Sequence, residues 1–173
     1  MQFERTSGKS TVIRFLLGVF ALWFAMMTPN NRIVVDGVSD ARRLMAVEMV
    51  KDISCMASVI YDEARGEPEK GKIAVGAVIM NRVKSKKSPD TVCGVTNQKR
   101  NNICQFSGMC KNKPNQFDET SLRIATNIIR GEYDDPTKGA MYFHNDTVRP
   151  KWSKIYVRTT RIGNHTFYSQ SFR

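Results

Sequence analysis

A carboxylate lies where a predicted helix must end, in the segment Tyr61–Pro68, whose sequence is YDEARGEP. Gly66 can adopt positive φ, and Pro68 disfavours a helical conformation for the residue before it. Upstream, apolar residues recur at threes and fours, which predicts a helix with Glu63 in its last turn. Burial and the negative end of the helix dipole would raise the pKa of this carboxyl, whereas Arg65 would lower it.

A glutamate that stays partly protonated near neutral pH can act as the general acid that glycosidic bond cleavage requires. The alternative is a solvated, inert ion pair between Glu63 and Arg65 at the helix end. Glycosidases usually use a second carboxylate, and Glu67 is the obvious one. The break at Gly66 and Pro68 predicts that Glu67 leaves the helix face and pairs locally, so we assign it to substrate binding rather than catalysis.

Four further segments follow this octet in order: Gly71–Val83, Thr91–Val95, Cys104–Ser107 and Arg161–Tyr168. Together the five segments resemble the spore-cortex-lytic (SleB-type) cell-wall hydrolase family, over about residues 50–168. The resemblance implies a lysozyme-like catalytic domain that cuts the glycan strand of peptidoglycan, with Glu63 matching the family's catalytic acid. It points to a lytic transglycosylase, in which one acid protonates the leaving oxygen and then deprotonates the muramic acid 6-hydroxyl. A hydrolytic muramidase would share these motifs.

Two short segments that combine amide, aromatic and hydroxyl groups predict the walls of a substrate groove. They are Gln105, Phe106 and Ser107 in a loop, and Tyr142, Phe143, His144 and Asn145 at a strand. Such groups suit sugar stacking and N-acetyl recognition, although core packing is the alternative for Phe106 and Phe143. His165 is predicted to be structural, and Trp152 to be either a sugar platform or a hydrophobic plug. The family often has an aromatic residue where Gly108 stands here, which leaves that subsite in question.

The elements that must position these residues are helices and a small sheet. We predict helices at about 40–64, 69–83 and 118–131, a strand at 140–144, and a hairpin of 155–162 and 165–169 turned at Gly163–Asn164. The inward stripe of the first helix would be Leu44, Val47, Val50, Ile53, Ala57, Ile60 and Ala64. A loop-rich stretch spans 84–117. With the resemblance, this predicts an α+β, lysozyme-like fold with a mostly helical core.

The composition is that of one globular domain with a basic surface, since 173 residues carry a net charge of +11. A basic surface favours anionic partners, so a non-catalytic module that binds nucleic acid or an envelope polymer is the alternative function. No nucleic-acid-binding motif is present, and we expect no such partner. A thiol enzyme built on Cys104 and His144 is a weaker rival. Ligand spacing predicts neither a metal nor a cofactor, and we expect a monomer.

Residues 1–27 are predicted to be a signal anchor or signal peptide, because three cations precede the thirteen-residue apolar run Phe15–Met27. Residues 28–40 would then be a polar linker and 41–173 the catalytic domain. This organisation predicts an exported protein, held at the inner membrane or released into the cell envelope. It would act on peptidoglycan as a phage endolysin or a bacterial wall-remodelling enzyme.

The chain has four cysteines, which are Cys55, Cys93, Cys104 and Cys110. Cys55 is predicted to be a buried free thiol on the first helix. The other three lie within one loop-rich stretch, so a bridge there would limit the freedom of the loop. We expect one disulfide, either Cys93–Cys110 or Cys104–Cys110.

Overall fold

The structure is a computed structural model that describes residues 31–110 and 116–172. In chain order its helices are α1 (Asn31–Ala64), α2 (Glu69–Val83), α3 (Val92–Thr96) and α4 (Glu119–Ile129), with 3₁₀ turns at Ser107–Cys110 and Lys151–Lys154. Its strands are β1 (Lys99–Arg100), β2 (Ile103–Cys104), β3 (Tyr142–Asn145), β4 (Tyr156–Ile162) and β5 (His165–Phe172). The predicted targeting segment, 1–27, lies outside the described residues. Among the helices that are described, none combines the length and apolar character needed to cross a membrane.

The chain divides into two compact units, Met1–Met45 and Ala46–Arg173. The described part of the first unit, 31–45, is helical, so the predicted helix start near residue 40 is wrong. In that unit Leu44 is 67 % exposed. In the second unit Val47 and Val50 are 57 % and 65 % exposed, so these three positions of the predicted inward stripe are wrong. Apolar periodicity shows which residues share one face of a helix, but it does not show whether another element covers that face.

From Ile53 onward the stripe of α1 does enter the core, and the prediction is confirmed there. Ala57, Ile60 and Ala64 are at most 1 % exposed and pack in one apolar cluster with residues of α2 and α4. At Gly76 two helices approach closely, because a Cβ built there would clash with Ile128 Cδ1. A glycine at this point lets α4 pack directly on the backbone of α2.

The main sheet is antiparallel, with strand order β3-β5-β4, and the predicted strand and hairpin are confirmed. The hairpin turns at Gly163, whose φ is +57°. One face of the sheet is buried against α2, where Ile162 and Phe167 pack with Ala74 and Val78. The opposite face carries Tyr142, His144 and Tyr168. The sheet therefore joins the core to an open polar and aromatic surface.

A second, two-stranded sheet of β1 and β2 lies inside the stretch that we expected to be loop. Its turn places Asn101 and Asn102 at φ values of 50° and 61°. Asparagine tolerates this left-handed conformation better than most residues, so the Asn-Asn pair was the available signal.

The cysteine prediction is wrong in its main point, because Cys55 and Cys93 form a disulfide. Cys55 is 6 % exposed, as predicted, but it is not a free thiol. This bond removes the Cys93–Cys110 alternative. Cys104 is disulfide-bonded as well. The structure does not describe the side chain of Cys110, so the Cys104–Cys110 alternative stays a prediction. The spacing of cysteines along the chain does not show which helix a loop folds against, and here α3 folds against α1.

Candidate active site

Glu63 lies in the last turn of α1, half-buried, as predicted. Its Oε1 accepts hydrogen bonds from the backbone N–H of Ser107 at 3.2 Å and from Ser107 Oγ at 3.4 Å. The next residue, Ala64, is 1 % exposed, so the helix end is anchored in the core. Two segments that are 44 positions apart in the sequence therefore meet at this carboxyl group. The structure brings Ser107, a predicted substrate-binding residue, directly to the predicted catalytic acid.

Glu63 faces a cleft with a volume of about 290 Å³. The cleft is lined by Asp62, Glu63, Arg65, Gly66, Glu67, Asn145, Asp146, Thr147, Asn164 and His165. Its walls come from the break after α1, the end of β3 and the turn between β4 and β5. Asn145, a predicted substrate-binding residue, lies in this lining. Apart from Gly66, every residue in the lining has a polar side chain, which suits a hydroxyl-rich ligand.

Four carboxylates line the cleft, and besides Glu63 two of them, Glu67 and Asp146, are held by other groups. Glu67 accepts hydrogen bonds from Asn164 N at 2.9 Å and from Asn164 Nδ2 at 3.1 Å. Asp146 forms an ion pair with Arg161. Asp62 lies over Gly108, where a Cβ would approach its Oδ2 to 1.8 Å. Glu63 is the carboxylate that the Gln-Phe-Ser segment orients.

Glu67 leaves the helix face, in line with the expected break, but its partner is 97 positions away rather than local. Its two oxygens fix the turn that carries Asn164 and His165. His165 is 4 % exposed, and its Nδ1 has no hydrogen-bond partner within the described part of the chain. Burial lowers the pKa of His165, and the nearby Glu67 opposes this shift. A neutral His165 therefore lines the cleft as a structural residue, as the sequence indicated.

Phe106 and Gln105 do not line the cleft. Phe106 is 2 % exposed and packs against Phe143 with ring centroids 6.5 Å apart. The expectation that its ring stacks on a sugar does not fit this burial, and the core-packing alternative does. Gln105 lines a separate small pocket together with Tyr142. Within the Gln-Phe-Ser segment, the serine is the residue that donates hydrogen bonds to Glu63.

Tyr142 and His144 lie on the open face of the sheet, beside the cleft rather than in it. Tyr142 stacks on Tyr156 with centroids 4.6 Å apart and also contacts Trp152 at 5.7 Å. His144 Nδ1 lies 2.7 Å from the carbonyl of Asn145, and Nε2 lies 3.0 Å from Tyr168 Oη. A carbonyl can only accept, so Nδ1 carries a proton and donates to it. These aromatic rings form a platform that continues the cleft.

Arg82 is a supporting residue that sequence reasoning missed. It is 8 % exposed, and its Nε donates to the carbonyl of Met141 at 2.8 Å. Its guanidinium lies 5.0 Å from the ring centroid of Phe106 and 5.5 Å from that of Tyr142. Burial lowers its pKa to about 10, so it stays charged at neutral pH. A cation between the apolar residues Met80 and Val83 of α2 was the available signal, and its guanidinium joins the rings of Phe106 and Tyr142.

A family model described as Cell Wall Hydrolase matches residues 66–168. The chain belongs to the cell wall hydrolase family. This confirms the resemblance that the five motifs indicated. The match begins three positions after Glu63, so the role of Glu63 depends on its geometry. The matched region runs from the break after α1 to β5.

The relatives of this family member include spore cortex-lytic enzymes. That of Bacillus cereus is 40 % identical over 117 residues, which cover 67 % of this chain and 43 % of the relative. That of Halalkalibacterium halodurans is 39 % identical, covering 67 % and 34 %. That of Bacillus subtilis is 36 % identical, covering 67 % and 37 %. The chain thus spans less than half the length of the curated relatives it matches.

Two solved structures are similar to this family member. The catalytic domain of the germination-specific lytic transglycosylase SleB from Bacillus anthracis is 38 % identical with a TM-score of 0.57, covering 68 % of this chain and 93 % of that one. The catalytic domain of the Bacillus cereus SleB protein is 35 % identical with a TM-score of 0.55, covering 68 % and 89 %. These similarities confirm the α+β, lysozyme-like fold.

The contacts of Glu67 lead to a first prediction, that Glu67→Gln lowers the rate of wall lysis by less than about 10-fold. Glutamine keeps one oxygen for Asn164 N but loses the charge, and a charge-assisted hydrogen bond is worth about 1.5–3 kcal/mol. The change therefore loosens the turn that carries His165 without removing Glu63. Turbidity assays on purified cell walls measure the rate. A rate as low as that of Glu63→Gln would instead show that both carboxylates take part in the chemistry.

Proposed function

We propose that the protein cleaves the glycan strand of peptidoglycan and that Glu63 is its single general acid and base. The carboxylates of the cleft carry this proposal, since Asn164 holds Glu67, Arg161 holds Asp146, and Asp62 is exposed whereas Glu63 is half-buried. Glu63 is held in the cleft by Ser107. The similarity to catalytic domains of SleB supports the same assignment.

In the proposed mechanism the protonated Glu63 gives its proton to the glycosidic oxygen as the bond to the muramic acid C1 breaks. The resulting carboxylate then takes the proton of the 6-hydroxyl, and that oxygen bonds to C1. The products are a free 4-hydroxyl on the leaving sugar and a 1,6-anhydro ring, with no water consumed and Glu63 protonated again. Ser107 orients the carboxyl group through both steps.

The identity of the products tests this mechanism. We expect mass spectra of digested, purified peptidoglycan to show 1,6-anhydromuramic acid termini, which are one water lighter than hydrolysed termini and resist borohydride reduction. Reducible muramic acid ends would identify a muramidase instead. In that case the carboxylate that activates water must come from Asp62, Glu67 or Asp146. Intact glycan with released peptides would contradict glycan cleavage altogether.

We also propose that the protein is exported to the cell envelope, as a phage endolysin or a wall-remodelling enzyme. The Cys55–Cys93 disulfide supports export, because such bonds persist in oxidising compartments. The predicted role of residues 1–27 in reaching the membrane is part of this proposal. The thiol-enzyme rival is not supported, since Cys104 is disulfide-bonded and has no thiol to act as nucleophile.

A further inference from the structure

The open face of the main sheet carries a second concavity beside the cleft, with a volume of about 600 Å³. It is lined by His144, Asp146, Arg149, Ser153, Lys154, Arg158, Arg161, Thr166 and Tyr168, and we call it the basic groove. Four of these side chains are cationic and one is anionic, so the lining carries a net charge of 4 − 1 = +3 with neutral histidine. Asp146 lines both the groove and the cleft of Glu63, so the two are adjacent.

An irregularity in β4 builds this groove. Arg158 and Arg161 are three positions apart, and in a regular strand they would face opposite sides of the sheet. The register shifts between Arg158 and Thr160, so that Arg158 lies opposite Tyr168 and Arg161 opposite Thr166 on β5. The shift brings both arginines to the open face, where a bulge of this kind re-aims side chains next to functional sites.

The charge of the groove is not neutralised within the part of the chain that the structure describes. Arg161 pairs with Asp146. The remaining cations, Arg149, Lys154 and Arg158, are exposed and make no ion pair within residues 31–110 and 116–172. Beside them Trp152 packs edge-on against Tyr168 at 5.4 Å, which adds an aromatic surface of the kind that sugars stack on. The groove thus combines an aromatic surface that suits sugar stacking with three cationic side chains that form no ion pair among the described residues.

Resting on the proposed function, we propose that the basic groove binds the carboxylates that the muramic acid units of the glycan carry. The backbone of such a glycan is uncharged, and its negative charge lies on the lactyl arm or on the stem peptide attached to it. A strand bound in the cleft directs these substituents along the sheet, toward Arg149, Lys154 and Arg158. A groove adjacent to the cleft favours a charge on the same substrate over a separate phosphate polymer.

The test is a double variant, Lys154→Gln with Arg158→Gln, compared with a matched control, Lys86→Gln with Arg130→Gln. Each removes one lysine and one arginine charge, and Lys86 and Arg130 are exposed and outside both the cleft and the groove. On solubilised intact peptidoglycan we expect the groove variant to raise KM about 10-fold with little change in kcat, since it loses two exposed charge pairs with the substrate. The control should keep the parent KM. Salt should raise the KM of the parent toward that of the groove variant.

Chemically modified substrates provide the second part of the test of the basic groove. Amidation of the substrate carboxylates with carbodiimide and ammonia should raise the parent KM and abolish the difference between the variants. Glycan stripped of peptides by an amidase carries only lactyl carboxylates. If the groove variant raises KM on intact peptidoglycan, the stem-peptide carboxylates are the ligand. If it raises KM only on stripped glycan, the lactyl carboxylate is the ligand.

Two outcomes overturn the proposal. One is a groove variant that matches the control on both intact and stripped substrates, and the other is an effect that persists undiminished on the amidated substrate. The second outcome would indicate a different anionic polymer as the partner. Failure of the proposed function is distinguishable, because then the parent protein itself would release no glycan fragments from any of the substrates.

Discussion

Replacing Glu63 with glutamine is expected to lower the rate of peptidoglycan cleavage by about 10²–10⁴-fold, the usual contribution of a general acid. The amide has the size of the carboxyl group and can still accept the hydrogen bonds of Ser107 through its oxygen. The fold around the helix end should therefore be retained. The amide cannot donate a proton to the leaving oxygen or take one from the 6-hydroxyl, so both steps of the proposed mechanism are lost.

Release of soluble muropeptides from purified walls measures this effect. Glu132→Gln is a matched control, because Glu132 is exposed and lies outside the cleft. Circular dichroism and the urea midpoint should be the same for both variants and the parent. Cleavage by Glu63→Gln within a few-fold of the parent, with unchanged stability, would contradict the assignment. Asp62 would then be the next carboxylate to test, since it is adjacent in the chain and lines the same cleft.

The parts of the fold that follow from local patterns were predictable. Asp118 accepts a hydrogen bond from Ser121 N at 2.7 Å and caps the start of α4, where the helix at about 118–131 was predicted to begin. Gly163–Asn164 turns the hairpin, and the Gly66–Pro68 break ends α1 just after Glu63. Each of these features depends on residues within a few positions of one another. Local propensity and sterics decide such features whatever the rest of the chain does.

The features that the sequence did not reveal depend on contacts between distant segments. The bond between Glu67 and Asn164 joins residues 97 positions apart, and nothing in either segment specifies the other. Asp62 lies against Gly108, where a side chain would begin, although the two residues are far apart in the sequence. Exposure of Val50 likewise depends on what lies over the helix. Tertiary packing decided each of these outcomes.

Removing the disulfide with Cys55→Ala and Cys93→Ala together is expected to lower the free energy of unfolding by about 4 kcal/mol. The two cysteines are 38 positions apart, and the chain-entropy model gives about this value for a closed loop of that length. Loss of about 4 kcal/mol is a large share of the stability of a typical domain, which is about 5–15 kcal/mol. Urea denaturation monitored by circular dichroism measures the change.

Lysis should respond differently from stability. The disulfide ties α3 to α1 about two turns before Glu63, and a second contact, from Cys93 N to Asp52 Oδ1 at 3.0 Å, remains in the double variant. At low temperature the folded double variant should therefore cleave peptidoglycan within a few-fold of the parent. At higher temperature its activity should disappear first, as the unfolded fraction grows.

A variant is a sharper probe than a reducing agent, because Cys104 is also disulfide-bonded and reduction would open both bonds. Asp52→Asn is the companion variant, since it weakens the second tie between α3 and α1 and keeps the covalent one. Its cost should be near 1 kcal/mol, the usual contribution of a single hydrogen bond. An unfolding midpoint for the cysteine variant equal to that of Asp52→Asn would show that α3 is held by packing rather than by the bond. The expected order of stability is the parent, then Asp52→Asn, then the cysteine variant, because the covalent link alone restricts the unfolded chain.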